Sequence, residues 1–462
     1  SNVYANDWTD MYRAIRCCDI LVDNIDRVPD MTAAEKEQWK SEARFLKAYY
    51  HFHLVRKWGP VPLIRESLPI DSDVETVRVY REDIDTCFDF ILGLLDEAYD
   101  NLPLLPASTD EYGRITKPIC AALKAKVAVF AASPLFNGNE EEAALVDNKG
   151  RQLFPSKTDE EKLARWEYAV TACRDAIEVC KQANYRLYDM SDVSSRYRMC
   201  DTLKRTLTLR EAFNRRQSDG NTEVVWGNTQ LDVNGYGSNT SFQQWTMPNM
   251  TEFSHSTGGY RFIGVPMKIV DQFYTNHGLP VSNDLEWEDV NTQALKTGTD
   301  DHSYYLENRY SNVAQNFNRE PRFYAFLGFD GGKWLGELSN YNDLQPEDVL
   351  HIECRNGGPQ GKSGGEVGPV TGYFAKKLYP LQCNFTAANT FVTYRFPWPV
   401  IRLTDLYLLY AEAINEAEGP DGFHSQELFE ALDAIRARAG IPDVKTSWDR
   451  YSNSPGYYKT QY

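Results

Sequence analysis

Apolar side chains recur at helical spacing in the first and last parts of the chain, but not in its long middle part. This pattern predicts a pair of helices within 8–57, single helices at 81–101, 116–136 and 161–182, and a final pair of helices at 404–418 and 425–439. Thr32, followed three residues later by Glu35, is a capping box that begins the second helix of the first pair. Gly59 and Pro60 end that helix. The predicted fold class is therefore mostly α.

Several of the predicted helices carry an aromatic residue followed closely by alanine, as in Trp166 with Ala169 and Tyr410 with Ala411. This pattern is typical of tetratricopeptide units, in which short helix hairpins stack into a right-handed scaffold. The pairs are irregularly spaced, so a repeat of roughly 34 residues is not demonstrated. We predict a tetratricopeptide-like helix-hairpin scaffold at about 1–215 and 400–445.

The middle of the chain, about 216–399, is predicted to be a long, irregular, loop-rich insert. It is rich in Gly, Asn, Tyr and Trp. Short strands are predicted at 223–226 and 324–329, a helix at 265–274, and a flexible loop at 356–372. Scaffold and insert are expected to share one core, so residues 1–462 are predicted to form a single domain. Long loops on a rigid scaffold are where binding residues concentrate.

The charge of the chain narrows the class of ligand. The sequence has 66 acidic and 49 basic residues and a formal net charge of −17. Nucleic acids and anionic lipid surfaces require a basic face, so both are disfavoured as partners. The chain also has 28 Tyr and 10 Trp, whose flat rings give a large contact area at low entropic cost. A neutral, weakly polar ligand such as a carbohydrate is favoured.

Cysteine spacing and hydropathy add little to this interpretation. The nine Cys show neither zinc spacing nor a disulfide framework, and we expect buried thiols. No apolar run approaches the ~18 residues of a transmembrane helix. The sequence begins at Ser1 without Met and without a signal peptide, so we expect a processed start.

Five sets of segments, in this order along the chain, resemble the SusD/RagB family. They are 44–52 with 54–63, 113–117 with 121–126 and 131–134, 319–324, 372–374 with 376–377, and 399–417 with 435–440. The third set is close to the family's Asp-Pro-Arg pattern, with Glu320 in place of Asp before Pro321 and Arg322. Together the blocks extend over nearly the whole chain.

The resemblance implies a lipoprotein at the cell surface, in the outer membrane, that covers a SusC-like TonB-dependent transporter. Such a protein captures oligosaccharides and passes them on, with no reaction, cofactor or metal. The family's lipid-attachment Cys and its C-terminal Arg/Glu-rich helix are not found in this sequence. Membrane attachment through a lipid anchor is therefore an expectation from the resemblance alone.

Ligand contacts are expected from aromatic residues in the loops, with Asn and Asp neighbours that bind hydroxyl groups. The resemblance favours the region ahead of the Pro-Arg block and the segment ahead of the first helix. The candidates are Trp287, Tyr304, Tyr305, Trp245, Tyr236, Tyr260, Tyr4 and Asn6. For any single aromatic residue the alternative is packing against the scaffold. Trp58, Pro60 and Arg322, which lie in the family blocks, are expected to be structural.

Two other functions remain as alternatives. A glycoside hydrolase would need two carboxyl groups about 5–5.5 Å or about 6.5–9.5 Å apart. A helical-repeat adaptor would bind protein partners in a helical groove. No catalytic residue is predicted, because the G-x-S-x-G match at 361–365 follows no buried strand. His51 and His53 face different sides of a helix and are poor metal partners.

Overall fold

The fold was analysed in a computed structural model. It describes residues 7–69, 71–192, 198–232, 242–248, 262–287, 292–334, 342–344, 349–361, 368–385, 391–392 and 394–460. The chain divides into two compact units. Unit 1 comprises Ser1–Tyr185 and Asp405–Leu428, and unit 2 comprises Arg186–Thr404 and Phe429–Tyr462. The scaffold predicted at about 1–215 and 400–445 extends beyond unit 1 at both segments, and the single domain stays a prediction.

Helices dominate the described residues, which confirms the predicted fold class. They are α1 (Asp7–Asn24), α2 (Ala33–Trp58), α3 (Val74–Val77), α4 (Ile84–Tyr99), α5 (Lys117–Ala132), α6 (Asp159–Gln182), α7 (Asp201–Asn214), α8 (Phe242–Thr246), α9 (Met267–Asp271), α10 (Pro321–Phe326), α11 (Leu403–Glu418), α12 (Ser425–Ala439) and α13 (Val444–Thr446). Among the helices described, none is both long and apolar enough to cross a membrane.

Unit 1 is organised around α5, which packs against α2, α4 and α6. Its alanines Ala122, Ala125 and Ala128 are at most 1% exposed. Small side chains let neighbouring helices approach closely, so the Ala-rich sequence gives α5 its central place. Cys120, also in α5, is 1% exposed, and burial raises the pKa of its thiol to about 12. Most of the nine Cys are buried free thiols, as predicted.

The ends of α2 follow from local sequence. The Thr32 side chain accepts from the backbone N–H of Glu35, and the Glu35 carboxylate accepts from the backbone N–H of Thr32 at 2.7 Å. Gly59 caps the other end at a φ of 69°, a conformation that glycine adopts without steric cost. The predicted capping box and the predicted end of the helix are both confirmed.

Unit 2 contains short strands among helices and loops. They are β1 (Arg198–Met199), β2 (Val224–Asp232), β3 (Leu295–Thr297), β4 (Ser311–Val313), β5 (Leu327–Gly328), β6 (Asn342–Leu344), β7 (Phe374–Ala375), β8 (Asn384–Phe385), β9 (Phe391–Val392) and β10 (Pro397–Arg402). They form two-stranded pairs: β1 with β6 is parallel, whereas β2 with β10, β3 with β4, β5 with β7 and β8 with β9 are antiparallel.

Two predictions for the insert were imprecise. The strand predicted at 324–329 is the end of α10 followed by the two residues of β5. Pro321 at the first turn of α10 is pre-organised for a helix, and this outweighs the strand preference of the aromatic residues after it. Only Met267–Asp271 is helical within the helix predicted at 265–274.

Glu223 is the central polar contact of unit 2. Its side chain is fully buried. The carboxylate accepts from the backbone N–H of Tyr188 at 3.0 Å, lies 3.4 Å from the Arg402 guanidinium, and also binds Arg438 and the Thr404 hydroxyl. A buried carboxylate is stable only with several such partners. One side chain thus joins four segments that are far apart in the sequence.

Two arginines of the family blocks make structural contacts in unit 2, as was expected for Arg322. Arg322 forms an ion pair with Glu320, which is 1% exposed and accepts from the backbone N–H of Tyr274 at 2.9 Å. Arg436 donates to the Gly278 carbonyl at 3.0 Å and to the Ser447 hydroxyl at 2.6 Å. Arginine's planar group of donors suits such multiple contacts.

We predict that Glu223→Ala destabilises the protein by about 3–5 kcal/mol, because Arg402 and Arg438 lose their buried acceptor. The free energy of unfolding in urea measures this loss. The matched control is Glu75→Ala, since Glu75 pairs with Arg78 on the surface and such pairs contribute about 0–1 kcal/mol. Equal unfolding free energies for the two variants would contradict the central role of Glu223.

His51 is a buried neutral base in unit 1. It is 0% exposed. One ring nitrogen lies 2.8 Å from the Lys47 carbonyl, and the other accepts from the backbone N–H of Ile64 at 3.3 Å. Burial, the largest cause, lowers the pKa of His51 to about 4. The ring is therefore uncharged in the folded protein at neutral pH.

This pKa predicts a pH-dependent stability. Between pH 6.5 and about 4 the unfolded chain protonates His51 and the folded chain does not, so the unfolding free energy contributed by His51 falls as pH falls. The expected loss is about 3 kcal/mol over this interval. Urea unfolding at pH 7 and at pH 4.5 should show a smaller loss for His51→Gln than for the native chain. An equal loss in the two proteins would contradict the low pKa of folded His51.

Candidate functional site

A cavity of about 360 Å³ lies in unit 2. Ligand pockets in proteins usually measure roughly 300–1,000 Å³, so it has room for a small ligand. Its lining combines apolar, amide and charged side chains: Met267, Gln293, Leu295, Asn312, Val313, Gln315, Asn316, Phe329, Asp330, Cys354, Arg355, Thr371, Gly372 and Tyr373.

The hairpin of β3 and β4 forms one wall of the cavity. Leu295 on β3 pairs with Val313 on β4. The pairing extends beyond the strands, because the backbone N–H of Ala314 donates to the Ala294 carbonyl at 2.8 Å and that of Gln315 to the Thr292 carbonyl at 3.0 Å. These bonds fix the backbone that carries the amides of the cavity.

A chain of hydrogen bonds links polar side chains of the lining, from the exposed Gln293 to the buried Asn312. Gln293 donates to Gln315 at 3.3 Å, and Gln315 donates to the Tyr373 hydroxyl at 2.6 Å. That hydroxyl donates to the side-chain carbonyl oxygen of Asn316 at 2.7 Å. The side-chain amide nitrogen of Asn316 in turn donates to the side-chain oxygen of Asn312 at 3.1 Å. Burial raises the pKa of Tyr373, so its hydroxyl keeps the proton. The network holds each amide in one orientation.

The charges in the lining are paired. Arg355 donates to Asp330 at 2.8 Å and lies 4.8 Å from the centre of the Tyr310 ring. Asp330 also accepts from the Tyr310 hydroxyl at 3.1 Å and from the backbone N–H of Cys354 at 2.8 Å. The hydrogen bond to Asp330 raises the pKa of Arg355. In the part of the chain that the structure describes, no group of three or more His, Cys, Asp or Glu could hold a metal ion.

Tyr304 and Tyr305, two of the predicted contact residues, lie in the aromatic core beneath the cavity. Tyr305 is 4% exposed and stacks on Tyr324 with ring centres 3.8 Å apart. Tyr304 is half-buried and meets Tyr305 edge-on at 4.6 Å. The same core includes Phe329 and Tyr373, which line the cavity. These two tyrosines therefore support the cavity, and ligand contact by Tyr304 or Tyr305 stays a prediction.

Trp287 and Trp245 are both partly exposed. The Arg319 guanidinium lies 5.2 Å from the centre of the Trp287 ring. Arg319 is itself fixed, since it donates to the carbonyls of Gln315 and Phe273, each at 2.7 Å. Trp287 thus rests on a guanidinium that is joined to a cavity residue. The Trp245 ring lies 6.5 Å from that of the exposed Phe262.

The remaining predicted contact residues, Tyr236, Tyr260, Tyr4 and Asn6, fall outside the described residues. Sequence reasoning missed the amides Asn312, Gln315 and Asn316. A signal was present, because the segment 312–318 contains four amide side chains directly ahead of the Pro-Arg block. These amides were missed because Asn and Asp were expected only as neighbours of loop aromatic residues, not as a cluster of their own.

The segment that forms this cavity lies within residues 222–460, which match a family model described as the SusD family. This match includes more than half of the chain. The chain belongs to the SusD family. Residues 1–129 match a second family model, described as starch-binding and associating with the outer membrane. The resemblance inferred from the five blocks is confirmed.

Relatives and solved structures agree with this assignment. The chain is 25% identical over 236 residues to a SusD-like protein of Bacteroides ovatus, a match of 44% of this chain and 42% of that protein. It is 29% identical over 124 residues to SusD-like protein P25 of Formosa agariphila, a match of 27% of this chain and 23% of that protein. The matches thus span less than half of either relative.

Among solved structures, BT4246 is 28% identical with a TM-score of 0.77, covering 95% of this chain and 72% of its own. A SusD-like protein of Bacteroides fragilis, BF3747, shares the fold at 20% identity and a TM-score of 0.65, covering 95% and 68%. The tetratricopeptide-like helical fold predicted for this SusD-family chain is therefore confirmed.

We predict that Tyr373→Phe destabilises this SusD-family chain by about 1–3 kcal/mol, because Gln315 and Asn316 lose a buried partner. The free energy of unfolding in urea measures the loss. Tyr457→Phe is the control, since Tyr457 is 40% exposed. If Tyr373→Phe unfolded at the same urea concentration as the native chain, the Tyr373 hydroxyl would not be holding the amides in place.

Proposed function

We propose that this chain is a non-catalytic glycan-binding subunit at the cell surface that captures oligosaccharides for a SusC-like transporter in the outer membrane. The observation that carries the proposal is the match to the SusD family over residues 222–460, the segment that forms the cavity. The second family model, described as starch-binding and associating with the outer membrane, supports a carbohydrate ligand and that location.

The chemistry of the cavity also supports a carbohydrate ligand. Amide side chains offer both donors and acceptors and match sugar hydroxyl groups, which both donate and accept. Asn312, Gln315 and Asn316 are at most 4% exposed, so they are oriented before a ligand arrives. Pre-organised groups lose little entropy on binding.

The lining gives little support to the alternative of a glycoside hydrolase. A hydrolase needs two carboxyl groups flanking the glycosidic bond. Among the described lining residues, Asp330 supplies a carboxylate and the others supply none. Asp330 is also bound by Arg355, Tyr310 and a backbone N–H. A carboxylate held in this way serves as a structural acceptor.

A glycan array, followed by calorimetry on the glycans that bind, tests the proposal. We expect binding to at least one oligosaccharide and no release of reducing ends after prolonged incubation. Release of reducing ends would favour the hydrolase. Binding to no glycan would overturn the function. Co-purification with a membrane-embedded transporter tests the proposed partner separately.

We predict that Trp287→Ala weakens oligosaccharide binding about ten-fold, or about 1.4 kcal/mol, because it removes a partly exposed ring held over Arg319. The thermal melting temperature should stay near the native value. Trp39→Ala is the matched control, since Trp39 is 43% exposed in unit 1. Unchanged affinity on calorimetry would remove Trp287 from the site.

A further inference from the structure

The cavity has a buried floor and an exposed rim. We call Asn312, Gln315, Asn316, Phe329 and Tyr373 the floor, because each lines the cavity and is at most 5% exposed. We call Gln293, Leu295 and Arg355 the rim, because each lines the cavity and is exposed. The lining therefore extends from solvent to side chains of the protein interior, which is the geometry of a pocket rather than of a flat shelf.

The floor differs from the stacking surface predicted from the sequence. Its aromatic members, Phe329 and Tyr373, are packed into the core, where Phe329 contacts Phe323 at 5.5 Å between ring centres. What the floor offers a ligand is mainly amide and hydroxyl groups. Such groups bind hydroxyls at defined positions, whereas an exposed ring face tolerates many sugars. A pocket of this kind selects for the shape of one sugar unit.

The charge of the lining indicates a neutral ligand. The charged members are Asp330 and Arg355, and each neutralises the other across 2.8 Å. An acidic sugar would have to compete with Asp330 for the Arg355 guanidinium. It would also approach a chain with a net charge of −17. Both effects disfavour glycans that carry carboxylate or sulfate groups.

We propose that the cavity binds glycans end-on: a neutral terminal or branch sugar enters it, while the rest of the oligosaccharide lies outside. This inference rests on the proposed function. The volume of about 360 Å³ lies near the lower limit for ligand pockets, and the buried side chains of the floor close the cavity toward the protein interior. A terminal sugar has one glycosidic bond leading back to solvent, whereas an internal unit of a continuous polysaccharide has two, so a small cavity closed on this side favours terminal units.

End-on binding predicts that the number of binding sites on a glycan equals the number of its chain ends, whatever its length. The probes are malto-oligosaccharides with linear amylose, and any other oligosaccharide from the array that binds, with its parent polymer. Calorimetric titrations of a short and a long chain should coincide when plotted against the concentration of chain ends. Coincidence against the mass of glycan would overturn the end-on inference and leave the proposed function standing. Failure of every glycan to bind would overturn both.

Leu295→Trp tests the entrance. Leu295 is 69% exposed at the rim, so a larger rigid side chain narrows the cavity without disturbing the core. We expect affinity to fall at least ~10-fold, with an unchanged melting temperature. The matched control is Leu135→Trp, since Leu135 is 61% exposed in unit 1, and it should bind like the native chain. Native affinity in Leu295→Trp would overturn the proposal.

Gln315→Glu tests the floor independently of the entrance. It keeps the shape of the side chain but replaces the donor to Tyr373 by a carboxylate. We expect at least a ~10-fold loss of affinity for a neutral oligosaccharide in protein that is folded by circular dichroism. Native affinity in Gln315→Glu would place the ligand elsewhere. Tighter binding of oligogalacturonate than of a neutral oligosaccharide by the native chain would overturn the preference for neutral sugars.

Discussion

A single buried carboxylate, that of Glu223, sets the constraint on which unit 2 depends. Its desolvation is tolerated only because Arg402, Arg438, Thr404 and the Tyr188 backbone surround it. Those partners lie between 35 and 215 positions from Glu223 in the sequence, so they satisfy the charge only when the chain has folded. Because a buried carboxylate that lacks some of its partners destabilises the fold, Glu223 favours one specific arrangement of these segments over other compact arrangements.

The candidate site likewise contains buried polar side chains that are tolerated only because they bind one another, but these side chains are neutral. Asn312, Gln315, Asn316 and Tyr373 satisfy one another in the protein interior above an aromatic core. Buried amides are unfavourable when unpaired and rigid when paired. The same bonds that make them tolerable in the core therefore prepare them for a ligand rich in hydroxyl groups. In this cavity the aromatic rings give support, and the amides provide the chemistry of recognition.

Much of the fold was accessible from local patterns. The helix periodicity, the capping box at Thr32 and the end of α2 at Gly59 depend on neighbours in the sequence, and all are confirmed. The first half of the strand predicted at 324–329 is helical because Pro321 begins a turn that aromatic residues then continue. The aromatic candidates for the site were chosen by residue type and by their place in predicted loops. Neither criterion distinguishes a core tyrosine such as Tyr305 from an exposed one.

The sequence by itself determined the helical class and the family, because periodicity and ordered motifs survive without knowledge of long-range contacts. The net charge of −17 also disfavoured nucleic acids as ligands, because they are polyanions. Only the tertiary structure decided that the Tyr304 and Tyr305 rings pack beneath a cavity, and that Gln293, Asn312 and Tyr373 meet in one network. The hydrogen bonds of this network join residues up to 58 positions apart. Whether such residues meet is set by the folding of the whole chain, and the local spacing of residues does not reveal it.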